Sequence, residues 1–306
     1  MNKWLRNVLI GILVILILVV GTVVLFSRSI GKDMVYHPLE ERPEVVINPA
    51  DYGLSFEEVS TTTEDGLELF GWFIPGLNGA TVIVAHGSPG GRQDGLYETN
   101  VLNQAGFNVL LGSFRAHDNS EGEIISYGYR EQLDLAAWHL YLVERSDVDP
   151  NRIGLFGESM GGGTGILYTA NHPDIRAIAT ASGFAITQGV VEKFILYENP
   201  DMPPLVVKIL AKLIVFWAER LGDFRLQDLD TVAAVGNISP RPILIIHGNS
   251  DRKIGSEPGE LLFEAAREPK EVLILEEAGH VDFEDHRPEE YSQALISFFK
   301  QNLLGE

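Results

Sequence analysis

Six short apolar runs between residues 81 and 275 constrain this chain more than any other feature. They are Thr81–Ala85, Phe107–Leu111, Ile153–Phe156, Ile175–Ala181, Ile243–Ile246 and Val272–Leu275. A strand with one wet face alternates apolar and polar residues. These runs are nearly continuous instead, as expected of parallel strands covered on both faces. Helix-compatible stretches lie between or after them, near 93–105, 127–145, 160–172, 257–267 and 288–303. Strand alternating with helix predicts an α/β fold: a doubly wound, mostly parallel sheet. Ahead of it, Phe56–Thr63 and Leu67–Ile74 read as two strands joined by the turn Glu64-Asp65-Gly66, a strong hairpin signal.

One interval breaks the rhythm. From near Ser182 to near Pro242 there are roughly sixty residues, far above the usual connection length. The excess predicts a helical insertion at about 184–240. Within it, Leu205–Leu221 is apolar almost all round, with Lys208, Lys212 and Glu219 forming a narrow polar stripe. So wide an apolar arc must be covered by something. Two readings stay open: a lid whose underside lines an apolar substrate pocket, or a helix packed on the sheet or inside the insertion. The two lysines argue against a second membrane span.

The N-terminus has a different character. Val8–Phe26 contains no charge and consists mostly of Leu, Ile and Val. As a helix it would cover roughly 28 Å, about the thickness of the bilayer hydrocarbon core. A cleaved signal peptide should have a shorter apolar region ending in an A-x-A-like site, and Ser27-Arg28-Ser29 matches that poorly. Residues 1–30 are therefore read as a transmembrane anchor, and 31–55 as a stalk and approach segment. Pro38, Pro43 and Pro49 forbid a continuous helix there. Residues 56–303 form the main domain. Lys3, Arg6 and the terminal amine lie ahead of the span. That small positive excess favours the N-terminus in the cytoplasm and the main domain on the other side of a single-pass membrane protein.

With 43 acidic against 23 basic side chains, the formal charge is −20. This argues against nucleic acid, and none is expected as a partner, because phosphate binding needs clustered Lys and Arg. Highly anionic soluble substrates are disfavoured as well, which leaves neutral ones as the default. There is no cysteine, so disulfides, thiolate nucleophiles and cysteine-bound zinc are excluded. His280-Val281-Asp282 and Asp285-His286 lack the spacing of a metal motif and read as solvated acidic loops. No cofactor or metal is expected.

Ser159 sits in Gly157-Glu158-Ser159-Met160-Gly161, between the apolar run Ile153–Phe156 and a small-residue, helix-compatible stretch. A sharp strand-to-helix turn at that place strains the serine backbone and lifts Oγ clear of the sheet. A serine hydroxyl needs a base, and the base needs a carboxylate to orient it and stabilise its cation. In an open parallel sheet all three belong at the carboxyl ends of strands. Asp251 follows Ile243–Ile246 in His247-Gly248-Asn249-Ser250-Asp251, and His280 follows Val272–Leu275 in Glu276-Glu277-Ala278-Gly279-His280. Asp282 and Asp285 compete with Asp251 but stand too near His280 in one loop to aim at its ring. His286, His172 and His117 compete with His280, and none follows a strand in the same way. An oxyanion hole needs two N–H donors. The Met160 amide and, from the loop His86-Gly87-Ser88-Pro89-Gly90-Gly91, the Ser88 amide are the candidates.

From about 56 to 303 the chain resembles the α/β-hydrolase superfamily of serine hydrolases. The matches are HGSPGG at 86–91, GESMG at 157–161, HGNSD at 247–251 and AGH at 278–280. The resemblance implies Ser159 as nucleophile, Asp251 as acid, His280 as base, and the Ser88 and Met160 amides as oxyanion donors. Residues 113–120 look like the family's D-x-R-G-H-G-x-S loop, with Ser113 in place of the usual Asp and Asp118 in place of a Gly. The expected activity is hydrolysis of neutral, fairly apolar carboxylic esters through an acyl-enzyme. The same triad could serve a peptidase, amidase or thioesterase, and a non-catalytic binding protein could keep the fold.

Overall fold

The computed structural model describes residues 2–184 and 187–306; Ala185 and Ile186, near the start of the expected insertion, lie outside the described residues. An eight-stranded sheet forms the centre. In chain order the strands are β1 Glu57–Thr62, β2 Glu68–Ile74, β3 Thr81–Ala85, β4 Asn108–Gly112, β5 Ile153–Glu158, β6 Ala177–Ala181, β7 Ile243–Gly248 and β8 Lys270–Leu275. Their spatial order is β1-β2-β4-β3-β5-β6-β7-β8. The β1–β2 and β2–β4 pairs are antiparallel and the rest parallel. Every apolar run of the sequence thus became a strand of one doubly wound sheet.

The helices are α1 Lys3–Val35, α2 Leu96–Gln104, α3 Glu131–Val143, α4 Met160–Asn171, α5 Gln188–Glu198, α6 Pro204–Gly222, α7 Thr231–Val235, α8 Glu257–Ala265, α9 Phe283–His286 and α10 Pro288–Phe299. One apolar layer, with Trp138, Leu155, Ile166 and Ile178, packs α3, α4 and α8 on one face of the sheet. The other, with Val82, Phe156, Leu295 and Phe299, packs α2 and α10 on the opposite face. All five residues of β3, β4 and β6 are buried. The edge strand β8 departs from the expectation of two covered faces: Val272 and Ile274 are each 40% exposed. An edge strand has a neighbour on one side only, so flanking helices shield it less.

α1 runs through Val35, and its last turns are not free. Ser27, Gly31 and Val35 recur every fourth residue and are buried. Gly31 lies against Ile214, Trp217 and Ala218 of α6, so closely that an added Cβ would stand 2.7 Å from Trp217 Cβ. Small residues at this spacing let two helix backbones approach. The facing stripe on α6 is Val207, Leu210, Ala211, Ile214 and Ala218, and Leu167 of α4 and Val191 of α5 complete the same cluster. The apolar arc of Leu205–Leu221 is therefore covered in part by the end of α1. The earlier part of α1 is exposed along its length, Ile15, Ile17 and Leu18 each by 60% or more.

Candidate active site

The turn from β5 into α4 places Ser159 at φ 49°, ψ −115°, a conformation that costs a non-glycine residue of order 1–3 kcal/mol. Close packing holds it there. A Cβ on Gly157 would collide with the Gly161 carbonyl, and one on Gly161 with the backbone of Ala85 and His86. The two glycines let β3, β5 and α4 converge, and the serine between them projects from the top of the sheet.

The loops after β7 and β8 bring the other two residues to it. Ser159 Oγ lies 2.9 Å from His280 Nε2, and His280 Nδ1 lies 2.8 Å from Asp251 Oδ2. A carboxylate only accepts, so Nδ1 carries the proton and Nε2 is left to accept from the serine hydroxyl. Asp251 is held by its own loop: Oδ1 accepts from the amides of Lys253 at 2.9 Å and Ile254 at 3.0 Å. Burial alone would raise its pKa. The hydrogen bond and charge of His280, the Ile254 amide and His247 outweigh burial and hold it below the ordinary carboxylate value.

The competitors are engaged elsewhere. Asp282 Oδ1 accepts from the Gly279 amide at 2.6 Å, so it shapes the loop that presents His280 without touching the ring. His286 pairs with Asp282 at 3.5 Å, and His172 Nδ1 donates to the Tyr168 carbonyl at 2.7 Å. His117 stands nearer the site, in a supporting position. Its Nδ1 donates to the Arg115 carbonyl at 2.8 Å, which leaves Nε2 to accept from Ser88 Oγ at 3.1 Å. Burial chiefly, with His86, His37 and Arg42 close by, pushes its pKa well below the ordinary value, keeping it neutral. His86 reinforces the arrangement: Nδ1 donates to the Gly87 carbonyl at 2.7 Å and Nε2 accepts from the Phe114 amide at 3.1 Å.

The loop at 86–91 lies against the nucleophile, since a Cβ on Gly87 would stand 3.3 Å from Ser159 Cβ. Among the described residues, neither the Ser88 nor the Met160 amide donates to a protein oxygen. Met160 opens α4, where a first-turn N–H has no helical acceptor. Both candidate oxyanion donors are thus free to serve an incoming oxygen.

Residues 113–120 buttress that loop. Arg115 is buried between Asp65 of the β1–β2 turn and Asp134 of α3, 2.7 Å from each, and its hydrogen bonds bring Asp65 down to about 2. Asp118, at φ 45°, accepts from the Arg92 amide at 2.9 Å, which offsets the strain a glycine would avoid. Beside Ser159 a cleft of about 450 Å³ opens, lined by Ser88, Glu98, Glu158, Lys253, His280 and Tyr291 among others. None of its lining residues among those described comes from α5, α6 or α7, which sets α6 apart from the cleft. Glu98 was not singled out from the sequence. Glu158 and His86 stood out there only inside their motifs, and His117 only as a rival base, not as a support for Ser88.

A strand-order reversal of this kind, with the serine turn at the centre of the sheet, defines a class of protein. The chain has the α/β-hydrolase fold: a family model described as the alpha/beta hydrolase fold matches residues 80–207. It is 29% identical over 276 residues to the uncharacterized protein YfhR of Escherichia coli K12, a match covering 84% of this chain and 88% of YfhR. The uncharacterized protein Rv2307c of Mycobacterium tuberculosis is 26% identical over 275 residues, covering 89% of this chain and 88% of that one. Among solved structures, an esterase of Pyrococcus furiosus, Pf2001, superposes with a TM-score of 0.71 at 25% identity, over 86% of this chain and 97% of the esterase.

Proposed function

We propose that this chain is a membrane-anchored serine hydrolase that cleaves carboxylic esters. The observation that carries the reading is the continuous relay from Ser159 through His280 to Asp251, at 2.9 and 2.8 Å, on a strained strand-to-helix turn. Similarity to an esterase in fold and, at 25% identity, in sequence favours esters over other acyl compounds. In this mechanism Ser159 Oγ attacks the acyl carbon while His280 Nε2 takes its proton, and Asp251 stabilises the imidazolium. The carbonyl oxygen gains negative charge and is met by the Ser88 and Met160 amides, each supplying about 3–4 kcal/mol. His280 then protonates the departing alcohol. Water, deprotonated by the same histidine, releases the acid from the acyl-enzyme. The anchor is α1, long and apolar enough to span a bilayer, with the hydrolase domain on the non-cytoplasmic side.

A fluorophosphonate probe and p-nitrophenyl esters test the chemistry on the full chain in detergent. Covalent labelling that vanishes in Ser159→Ala, with ester turnover falling at least about a thousandfold, is the expected result. Equal labelling of the Ala variant would remove Ser159 from the role of nucleophile. A parallel panel of amides and thioesters separates an esterase from a peptidase or thioesterase, which would use the same three residues.

A further inference from the structure

The cleft beside Ser159 is strongly acidic. Asp94, Glu98, Glu158 and Glu284 line it, and among the described lining residues Lys253 is the single lysine or arginine. Two of the carboxyls are accounted for within the fold or at its rim. Asp94 accepts from the Gly91 amide at 2.9 Å, and Glu284 on α9 is exposed. The other two are different. Glu98, 4% exposed, uses Oε1 to accept from the Tyr291 hydroxyl at 2.7 Å, which ties α2 to α10. Its Oε2 is buried and meets no donor. Glu158, 7% exposed, receives no hydrogen bond from any described residue, although it stands immediately before the nucleophile. The Glu98 charge bears on Glu158, and two neighbouring buried carboxyls resist ionising together.

A buried carboxyl without a donor is a liability to the fold, and packing alone would be served by an apolar side chain. The missing partner must donate hydrogen bonds, enter from the cleft and tolerate a negative surround. An alkylammonium group meets all three conditions: it has up to three N–H donors, and its charge is opposite to that of the carboxyls. A hydroxyl would offer one donor and leave the carboxylate charge uncompensated. An anion would be repelled. We propose that Glu158 and Glu98 form a subsite for a cationic amino group carried on the acyl chain of the substrate. The proposal rests on the serine-hydrolase reading for its place in the reaction, and on the cleft alone for the binding.

Burial keeps the pair from ionising at the ordinary carboxyl value. Burial, then the Glu98 charge, push Glu158 well above the ordinary carboxyl value, and burial pushes Glu98 up too. The groups facing the pair are Tyr291 from α10, Glu284 from α9 and Asp94 from the turn before α2, with His280 and Lys253 from the loops. Binding an ammonium expels a proton: R–NH₃⁺ enters, one H⁺ leaves, and total charge is conserved. Affinity for the cation must therefore rise with pH as the pair ionises.

The test uses the full chain in detergent with Ser159→Ala, so that binding is measured apart from turnover. Titration calorimetry compares n-pentylammonium with its neutral counterpart, 1-pentanol, at pH 6 and 8. The expected result is saturable binding of the amine, at least about tenfold tighter at pH 8, and weakened at least tenfold in Glu158→Gln. Equal affinity for pentanol, pH-independent amine binding, or full affinity in both Glu158→Gln and Glu98→Gln overturns the proposal. Glutamine keeps the shape, and circular dichroism reports whether each variant is folded. In the Ser159-intact protein, kcat/KM for p-nitrophenyl 6-aminohexanoate should exceed that for p-nitrophenyl heptanoate, with the ratio falling toward one in Glu158→Gln. If neither ester turns over and fluorophosphonate does not label, the catalytic reading fails, while the calorimetry still decides the subsite.

Discussion

Glu158 shows how one position can serve the cleft at the expense of the fold. Its pKa is higher in the folded chain than in the unfolded one, chiefly because burial penalises its charge. At pH values between the two the folded state binds more protons, so stability falls as pH rises through that window. Glu158→Gln removes the titration. Its melting temperature should exceed that of the parent above pH 7, and the gap should shrink toward pH 5; a constant gap from pH 5 to 8 in circular dichroism melts would contradict this. Asp251 has the opposite sign. It stays ionised in the folded state and its contribution is lost only in acid, as pH falls through its lowered pKa. Asp251→Asn leaves the shape but removes the charge that fixes the His280 tautomer, so kcat should drop by about 10⁴ with labelling by fluorophosphonate slowed. Ser159, Asp251 and His280 were legible in the sequence because each follows a strand, and strand ends converge on one edge of a parallel sheet. Glu98 and Tyr291, 193 positions apart, carry no such local signal. Only the packing of α2 against α10 brings them together.

At the scale of elements, the insertion between β6 and β7 illustrates what periodicity leaves undecided. Leu205–Leu221 announces a helix and demands cover, but an apolar arc does not say what covers it. The cover includes α1, through the small residues Ser27 and Gly31, and none of the described cleft lining comes from the insertion. Gly31→Leu would force a branched side chain into the backbone of Ile214 and Ala218. Overpacking of this kind costs about 1–3 kcal/mol, and protease cleavage within 204–222 should accelerate while that within the sheet does not. Unchanged cleavage would mean that the α1–α6 contact contributes nothing to holding the insertion. The β1–β2 hairpin, by contrast, was readable from Glu64-Asp65-Gly66 alone, because Gly66 supplies the positive φ of 89° that the turn requires. Its second use, presenting Asp65 to Arg115, depends on a residue fifty positions away.

Over the whole molecule, α1 has two parts with different partners. Its 33 residues extend about 50 Å, well beyond the roughly 30 Å of a bilayer core. The leading apolar part is exposed, whereas Ser27, Gly31 and Val35 are buried on the domain. Truncation should reveal the division. Removing residues 1–22 should release the protein from membranes and leave its melting temperature nearly unchanged. Removing 1–35 should strip Val35 and its neighbours from α6 and destabilise the domain by about 2–5 kcal/mol. Equal stability of the two truncations would assign all of α1 to the membrane. The acidic surface, formally −20, acts at this scale as well, since its field repels anions approaching the cleft.

The sequence by itself determined the parallel sheet, the strained serine turn and the chain order Ser159, Asp251, His280. These follow from local rules: continuous apolar runs for doubly covered strands, glycines where backbones converge, and polar residues immediately after strands. The tertiary structure decided which helix covers α6, which histidine bonds Ser88 and which acids share the cleft. Each of those depends on contacts between residues far apart in the chain. Such pairings are set by how the layers close over the sheet, and no local pattern encodes them.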